Sequence, residues 1–201
     1  MKHLPNILTG GRLALSLFVF LALAAAGGAA GVRLDAGATS GVELWAFVAF
    51  VVAAVTDFFD GWLARRWNVV SVWGAILDPI ADKVLICAAV LGLMALHATA
   101  AIVIPSALIL FREFAVSALR EVTAGKGVSL PVTLLAKWKT TVQLIALGAE
   151  LIVAAWPAFG LPAPWLGPAA VGAHTLLWIA AIVTLITGAQ YLAQARKALA
   201  A

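Results

Sequence analysis

Residues 54–85 read AVTDFFDGWLARRWNVVSVWGAILDPIADKVL and place four aspartates, Asp57, Asp60, Asp78 and Asp82, in sequence otherwise apolar enough for a membrane. A carboxylate near the bilayer centre costs roughly 2.5–3.5 kcal/mol even on insertion scales, so four without compensation approach about 10 kcal/mol. Something cationic must sit among them, and the function is to be sought there. The rest of the chain has the same character: of 201 residues, 64% are hydrophobic and 11% charged, which excludes a soluble globular domain.

Apolar runs of about 20 residues, enough to cross a hydrocarbon core of roughly 30 Å, recur from one end to the other. They fall at about 7–27, 42–64, 73–97, 99–121, 132–155 and 171–194. Each is expected to be helical, because lipid offers no partners for unpaired backbone groups. The expected fold is an all-α integral membrane protein, six transmembrane helices around a cytoplasm-facing polar cavity, forming one membrane domain over residues 1–201. Twelve of the 13 Lys and Arg residues fall on one side of this arrangement and only Arg33 on the other. The positive-inside rule then puts both termini and the site in the cytoplasm, with a bacterial inner membrane as the expected location. The basic balance suits anionic lipid headgroups and phosphorylated substrates rather than nucleic acid.

At about 100° per residue, Asp60, Gly61 and Ala64 all lie within about 60° of Asp57, and Gly74 and Asp82 within about 40° of Asp78. Two acidic faces, cleared by small residues that let a ligand approach closely, can therefore converge across a short loop. Small residues also serve helix packing in membranes, so Gly74 in particular has a second explanation. Oxygen donors without His or Cys nearby favour hard Mg²⁺ or Mn²⁺, and four carboxylates suffice for two such ions. Arg65, one turn beyond Gly61, is placed to grip a phosphate. Glu150, inside the fifth span, is expected to pair across a dimer or to face water near the external side. His3, His97 and His174 show no ligand spacing and read as loop or interface residues.

The ordered string Asp57-x2-Asp60-Gly61-x2-Ala64-Arg65-x8-Gly74-x3-Asp78-x3-Asp82 resembles the signature of the CDP-alcohol phosphotransferases at every position and spacing. The resemblance implies transfer of a phosphatidyl group from CDP-diacylglycerol to an alcohol with release of CMP, six helices in a homodimer among membrane lipids, and two divalent cations. By resemblance all four aspartates hold metal, Asp78 and Asp82 are catalytic, and Asp82 is the base for the acceptor hydroxyl. Asp57, Gly61, Ala64, Arg65 and Gly74 are then the nucleotide-binding positions.

The segments LPNILTGGRLALS, FREFAVSALREVTAGKG and LLAKWKTTVQLIAL resemble the branch of that family whose acceptor is sn-glycerol 3-phosphate. Asn6 and Thr9 are assigned beside the nucleotide, with Arg12 near them; the alternative for Asn6 and Thr9 is capping of the first helix. A phosphorylated acceptor needs a second anion site, and Arg112, Arg120 and Lys137, with Ser117 and Lys139, are the residues expected to form it. Against this stand two structural readings, snorkelling of boundary cations and a Glu113–Arg120 ion pair. Inositol phosphate, serine or phosphatidylglycerol are the alternative acceptors, and a cation or proton transporter is the alternative of a different class.

Overall fold

The protein is described by a computed structural model covering residues 4–29, 31–67, 72–128, 130 and 134–200; the side chains of 4–7, 58–67, 72–76, 78, 79, 134, 136, 137 and 200 are outside the description. The described chain is helical, without strands, and has six long helices: α1 (Leu4–Ala26), α2 (Ala36–Trp67), α3 (Val72–Leu96), α4 (Ala100–Gly125), α5 (Leu134–Ala154) and α6 (Leu166–Ala200). These agree with the six apolar runs. Four segments, Leu8–Ala26, Ala36–Asp57, Ala100–Gly125 and Ala163–Leu199, are long and apolar enough among the described residues to cross a membrane. At 25 and 21 residues, α3 and α5 are about 37 and 31 Å long, which also suffices for the hydrocarbon core.

Two boundaries depart from the hydropathy pattern for local reasons. α2 begins before the apolar run because Asp35 caps it, its Oδ1 accepting a hydrogen bond from the Ala38 amide at 2.8 Å. α6 runs for 35 residues, about 52 Å, after a short 3₁₀ turn at Ala163–Trp165 takes over the end of the Pro/Gly-rich connection. α1 begins at Leu4, so Asn6 and Thr9 lie inside the helix and do not cap it.

Successive helices alternate in direction. Arg12 near the start of α1 meets Asp57 late in α2 and Asp82 early in α3, whereas Gly27 beyond α1 abuts Ala95 and Leu96 at the end of α3. Lys139 early in α5 meets Glu113 of α4, and Glu150 late in α5 meets His174 early in α6. α1 packs on α2 and α3, α6 packs on α4 and α5, and α5 joins the two groups through α2 and α3.

The polarity of the bundle suits lipid outside and polar contacts within. Phe111 is 74% exposed, and Leu21, Val55, Ile145 and Ile182 also face outward. Meanwhile Thr9, Arg12, Ser16, Arg112, Glu113, Lys139, Gln143, Thr184 and Thr187 are buried. The chain is an integral membrane protein. Its apolar core, with Val19, Leu23, Phe50, Leu93, Ile109, Leu147 and Leu177, lies beyond these polar groups. On α5 and α6 a dry layer of Ala146, Leu147, Leu177, Ala180 and Ala181 separates Gln143 and Thr184 from Glu150 and His174. Glu150 Oε1 lies 2.8 Å from His174 Nδ1, so Glu150 has a partner within the chain. His174 correspondingly belongs to a helix contact and not to a loop.

A Cβ on Gly27 would collide with the backbone of Ala95 and Leu96, whereas one on Gly10 would meet nothing within 4 Å. Gly27→Ala is therefore expected to destabilise the bundle by about 1–3 kcal/mol, as overpacking does. Gly10→Ala should leave the thermal unfolding midpoint in detergent unchanged or higher. Equal midpoints for wild type and Gly27→Ala would contradict the close packing of α1 on α3.

Candidate active site

The buried face of α1 runs through Thr9, Arg12, Ser16, Val19 and Leu23, the three-and-four spacing of one helical stripe, polar at its start and apolar beyond. Arg12 is only 1% exposed. Its Nη1 pairs with Asp57 Oδ1 of α2 and lies 2.6 Å from Asp82 Oδ1 of α3. It is the buried member of the group, since the Asp57 and Asp82 side chains are themselves 36% and 43% exposed, and it comes from the first helix. Besides its place in LPNILTGGRLALS, its local sequence signal is an arginine phased with Thr9 and Ser16.

Beside this cluster opens a cavity of about 480 Å³. α3 contributes Asp82 and Lys83, α4 Arg112, Glu113, Ser117, Arg120 and Glu121, α5 Lys139 and Thr140, and α6 Tyr191. Cations outnumber carboxylates four to three along this lining. Asp82 also borders the small space enclosed by Arg12, Asp57 and Thr140, so one carboxylate joins the acidic cluster to the basic cavity.

Glu113 organises the cavity floor. Lys139 Nζ donates to its Oε1, as do Arg112 Nη1 at 3.3 Å and Gln143 Nε2 at 3.2 Å. Gln143 also donates to Thr184 Oγ1 at 2.8 Å, which ties α4 and α5 to α6. Arg112 Nη2 donates to Thr187 Oγ1 at 3.0 Å, and its guanidinium lies 5.7 Å from the centre of the Tyr191 ring. Gly188 leaves room for the arginine stem, since a Cβ there would approach Arg112 Cγ to 2.8 Å. Glu113 thus pairs with Lys139 and Arg112, not with Arg120 as a structural ion pair. Lys139, near the start of α5, is buried. Ser117 lines the cavity while its hydroxyl donates to the Glu113 carbonyl at 2.6 Å.

Of the residues singled out by sequence, Asp57 and Asp82 meet at Arg12, Thr9 is buried one turn before that arginine, and Arg112, Ser117, Arg120 and Lys139 share the cavity. The side chains of Asn6, Asp60, Gly61, Ala64, Arg65, Gly74, Asp78 and Lys137 lie outside the described residues. Sequence reasoning did not single out Lys83, Thr140, Gln143, Thr184, Thr187 or Tyr191 for the site. The last three could have been traced from their shared stripe on α6 once Arg112 was known to be buried.

A polytopic helical bundle that sets a carboxylate beside a cavity lined by more cations than carboxylates has the build of a membrane enzyme for group transfer. The family model described as CDP-alcohol phosphatidyltransferase matches residues 2–191, and the chain belongs to that family of transferases. The CDP-diacylglycerol–glycerol-3-phosphate 3-phosphatidyltransferase of Rickettsia felis is 38% identical over 196 residues, covering 98% of this chain and 97% of its own. Proteins of the same name from Rickettsia bellii and Escherichia coli are 43% and 42% identical, covering 74% and 73% of this chain and 77% and 76% of theirs.

The family is generally dependent on a divalent metal. No group of three or more His, Cys, Asp or Glu residues suited to a metal occurs among the described residues, a set that lacks the Asp60 and Asp78 side chains. The observed geometry nevertheless fits a hard cation: carboxylate oxygens from two facing helices converge on one positively charged nitrogen.

Breaking a buried ion pair from one side leaves uncompensated charge, at a cost of about 3–5 kcal/mol. Glu113→Ala should therefore lower the unfolding midpoint in detergent far more than Glu121→Ala, which removes an exposed carboxylate from the same cavity. Matching midpoints for the two variants would rule out Glu113 as the organiser of the floor.

Proposed function

We propose that the chain transfers a phosphatidyl group from CDP-diacylglycerol to sn-glycerol 3-phosphate, giving phosphatidylglycerol phosphate and CMP. The observation that carries this reading is the position of Asp82, which borders both the acidic cluster and a cavity rich in Arg and Lys. A base at that junction reaches a hydroxyl whose own phosphate is held by the cations beyond it. The names of the curated relatives support the same pair of substrates.

In this reading Asp57, Asp60, Asp78 and Asp82 hold two divalent cations, Mg²⁺ or Mn²⁺. When bound, such ions neutralise the donor pyrophosphate and stabilise departing CMP. Asn6, Thr9, Gly61, Ala64, Arg65 and Gly74 line the nucleotide side. Arg112, Arg120, Ser117, Lys137 and Lys139 serve the acceptor phosphate, directly or as the charged floor beneath it. Asp82 takes the proton of the acceptor hydroxyl as its oxygen attacks the donor β-phosphorus, and the bond to the CMP oxygen breaks. Arg12 orients Asp82 for that role through the 2.6 Å contact. The chain acts as a single membrane domain and a homodimer in the bacterial inner membrane, with both termini and the cavity cytoplasmic, as the distribution of Lys and Arg favours.

Purified protein in detergent with Mg²⁺ and CDP-diacylglycerol should release CMP on addition of sn-glycerol 3-phosphate, and much less with inositol phosphate, serine or phosphatidylglycerol. Absence of CMP with every acceptor would remove the reading, and release with another acceptor alone would reassign it. Asp82→Asn should lower kcat by roughly 10²–10⁴ with the protein still folded, the range lost with a general base. A variant retaining more than about a tenth of wild-type turnover would take the base role from Asp82.

A further inference from the structure

Lys83 directly follows the proposed base on α3, yet no feature of the aspartate string draws attention to it. It lines the same cavity as Asp82, one residue or about 100° further around the helix. The four cations of that cavity differ in how they are used. Arg112 and Lys139 are both buried and both held by Glu113. Lys83 and Arg120 make no ion pair with any carboxylate among the described residues, and Asp82 takes its charge partner from Arg12 on the opposite side.

An incoming phosphate therefore meets two unequal pairs. Drawing Arg112 or Lys139 onto the phosphate would break one of the contacts that satisfy the buried Glu113 carboxylate. Binding at Lys83 and Arg120 uses charge that is not committed within the described structure, and a phosphate dianion matches two such cations. The position of Lys83 adds a geometric constraint. A short polyol phosphate whose hydroxyl sits at Asp82 carries its phosphate only a few atoms away, and Lys83 is the cation nearest to Asp82 along the chain.

From this we infer that Lys83 binds the acceptor phosphate and determines specificity for a phosphorylated alcohol, with Arg120 facing it from α4. Arg112 and Lys139, which share the carboxylate of Glu113, form the floor beneath. The inference rests on the acceptor reading above and sharpens it by naming the residue that distinguishes a phosphorylated alcohol from an unphosphorylated one. A role for Lys83 as counter-ion to Asp82 is already filled by Arg12.

The test is steady-state CMP release by wild type, Lys83→Ala, Lys83→Met and Lys83→Arg, varying sn-glycerol 3-phosphate and CDP-diacylglycerol in turn, with glycerol as the unphosphorylated comparison. Losing one charge-assisted contact should raise the KM for sn-glycerol 3-phosphate about tenfold or more in the Ala and Met variants, with the donor KM within about twofold of wild type. Lys83→Arg should recover most of the loss, and the preference for sn-glycerol 3-phosphate over glycerol should fall in Ala and Met alone. The Met variant keeps the alkyl stem, so it separates lost charge from lost packing if the Ala variant folds poorly. An unchanged acceptor KM, an equal rise in both KM values, or a loss confined to kcat would each overturn the assignment. Wild-type protein that released no CMP with sn-glycerol 3-phosphate would instead overturn the reading of the reaction, a result distinguishable from an active enzyme indifferent to Lys83.

Discussion

The pairing of Arg12 with Asp57 and Asp82 is the constraint on which the polar half of this protein depends. Three helices contribute one charged group each to a point almost closed to solvent at the arginine. Each charge would be costly alone in a membrane interior, and each becomes acceptable only with the others in place. That mutual requirement sets the register of α1 against α2 and α3. A slide of α1 by one helical turn would bring Ser16 toward the carboxylates in place of the guanidinium. The same requirement explains how two aspartates from different helices are held at one point of the bundle.

The other half of the site is organised by a carboxylate instead of an arginine. Glu113 gathers Lys139, Arg112 and Gln143, and through them α5 and α6 are fixed relative to α4. The cavity lies where the two halves meet. Its acidic edge is positioned by a buried cation and its basic floor by a buried anion, so each half carries its opposite charge within it. Tyr191, Thr187 and Gly188 give α6 a part in the site by holding the side and stem of Arg112.

The helices were legible because the hydrocarbon core imposes one length and one secondary structure on every span, and six apolar runs became six long helices. Their ends were less so: Asp35 extends α2 through a single capping hydrogen bond that hydropathy does not register. The aspartates were legible from cost, since buried acids demand an explanation, and Asp57 and Asp82 do converge. Their cation was harder to assign because Arg12 sits near the start of a span, where an arginine has the ordinary option of reaching the headgroups. Lys139 presented the same ambiguity, and burial against Glu113 resolves it toward the interior. The role of α6 was hidden for another reason: Thr184, Thr187 and Gly188 are of types common in membrane helices, and only Gln143 for the first and Arg112 for the other two give them a task. Glu150 and His174 are far apart in sequence, so nothing local links them before the antiparallel packing of α5 and α6 is known.

The dry layer of Ala146, Leu147, Leu177, Ala180 and Ala181 also bears on the membrane itself. It separates the polar cluster at Gln143 and Thr184 from the Glu150–His174 pair by seven residues of α5, about 10 Å of helix. Neither water nor a proton has a chain of hydrogen-bonding side chains to follow across that gap along the described faces of α5 and α6. Along α5 and α6 the cavity is thus parted from the Glu150–His174 end of the bundle by apolar side chains.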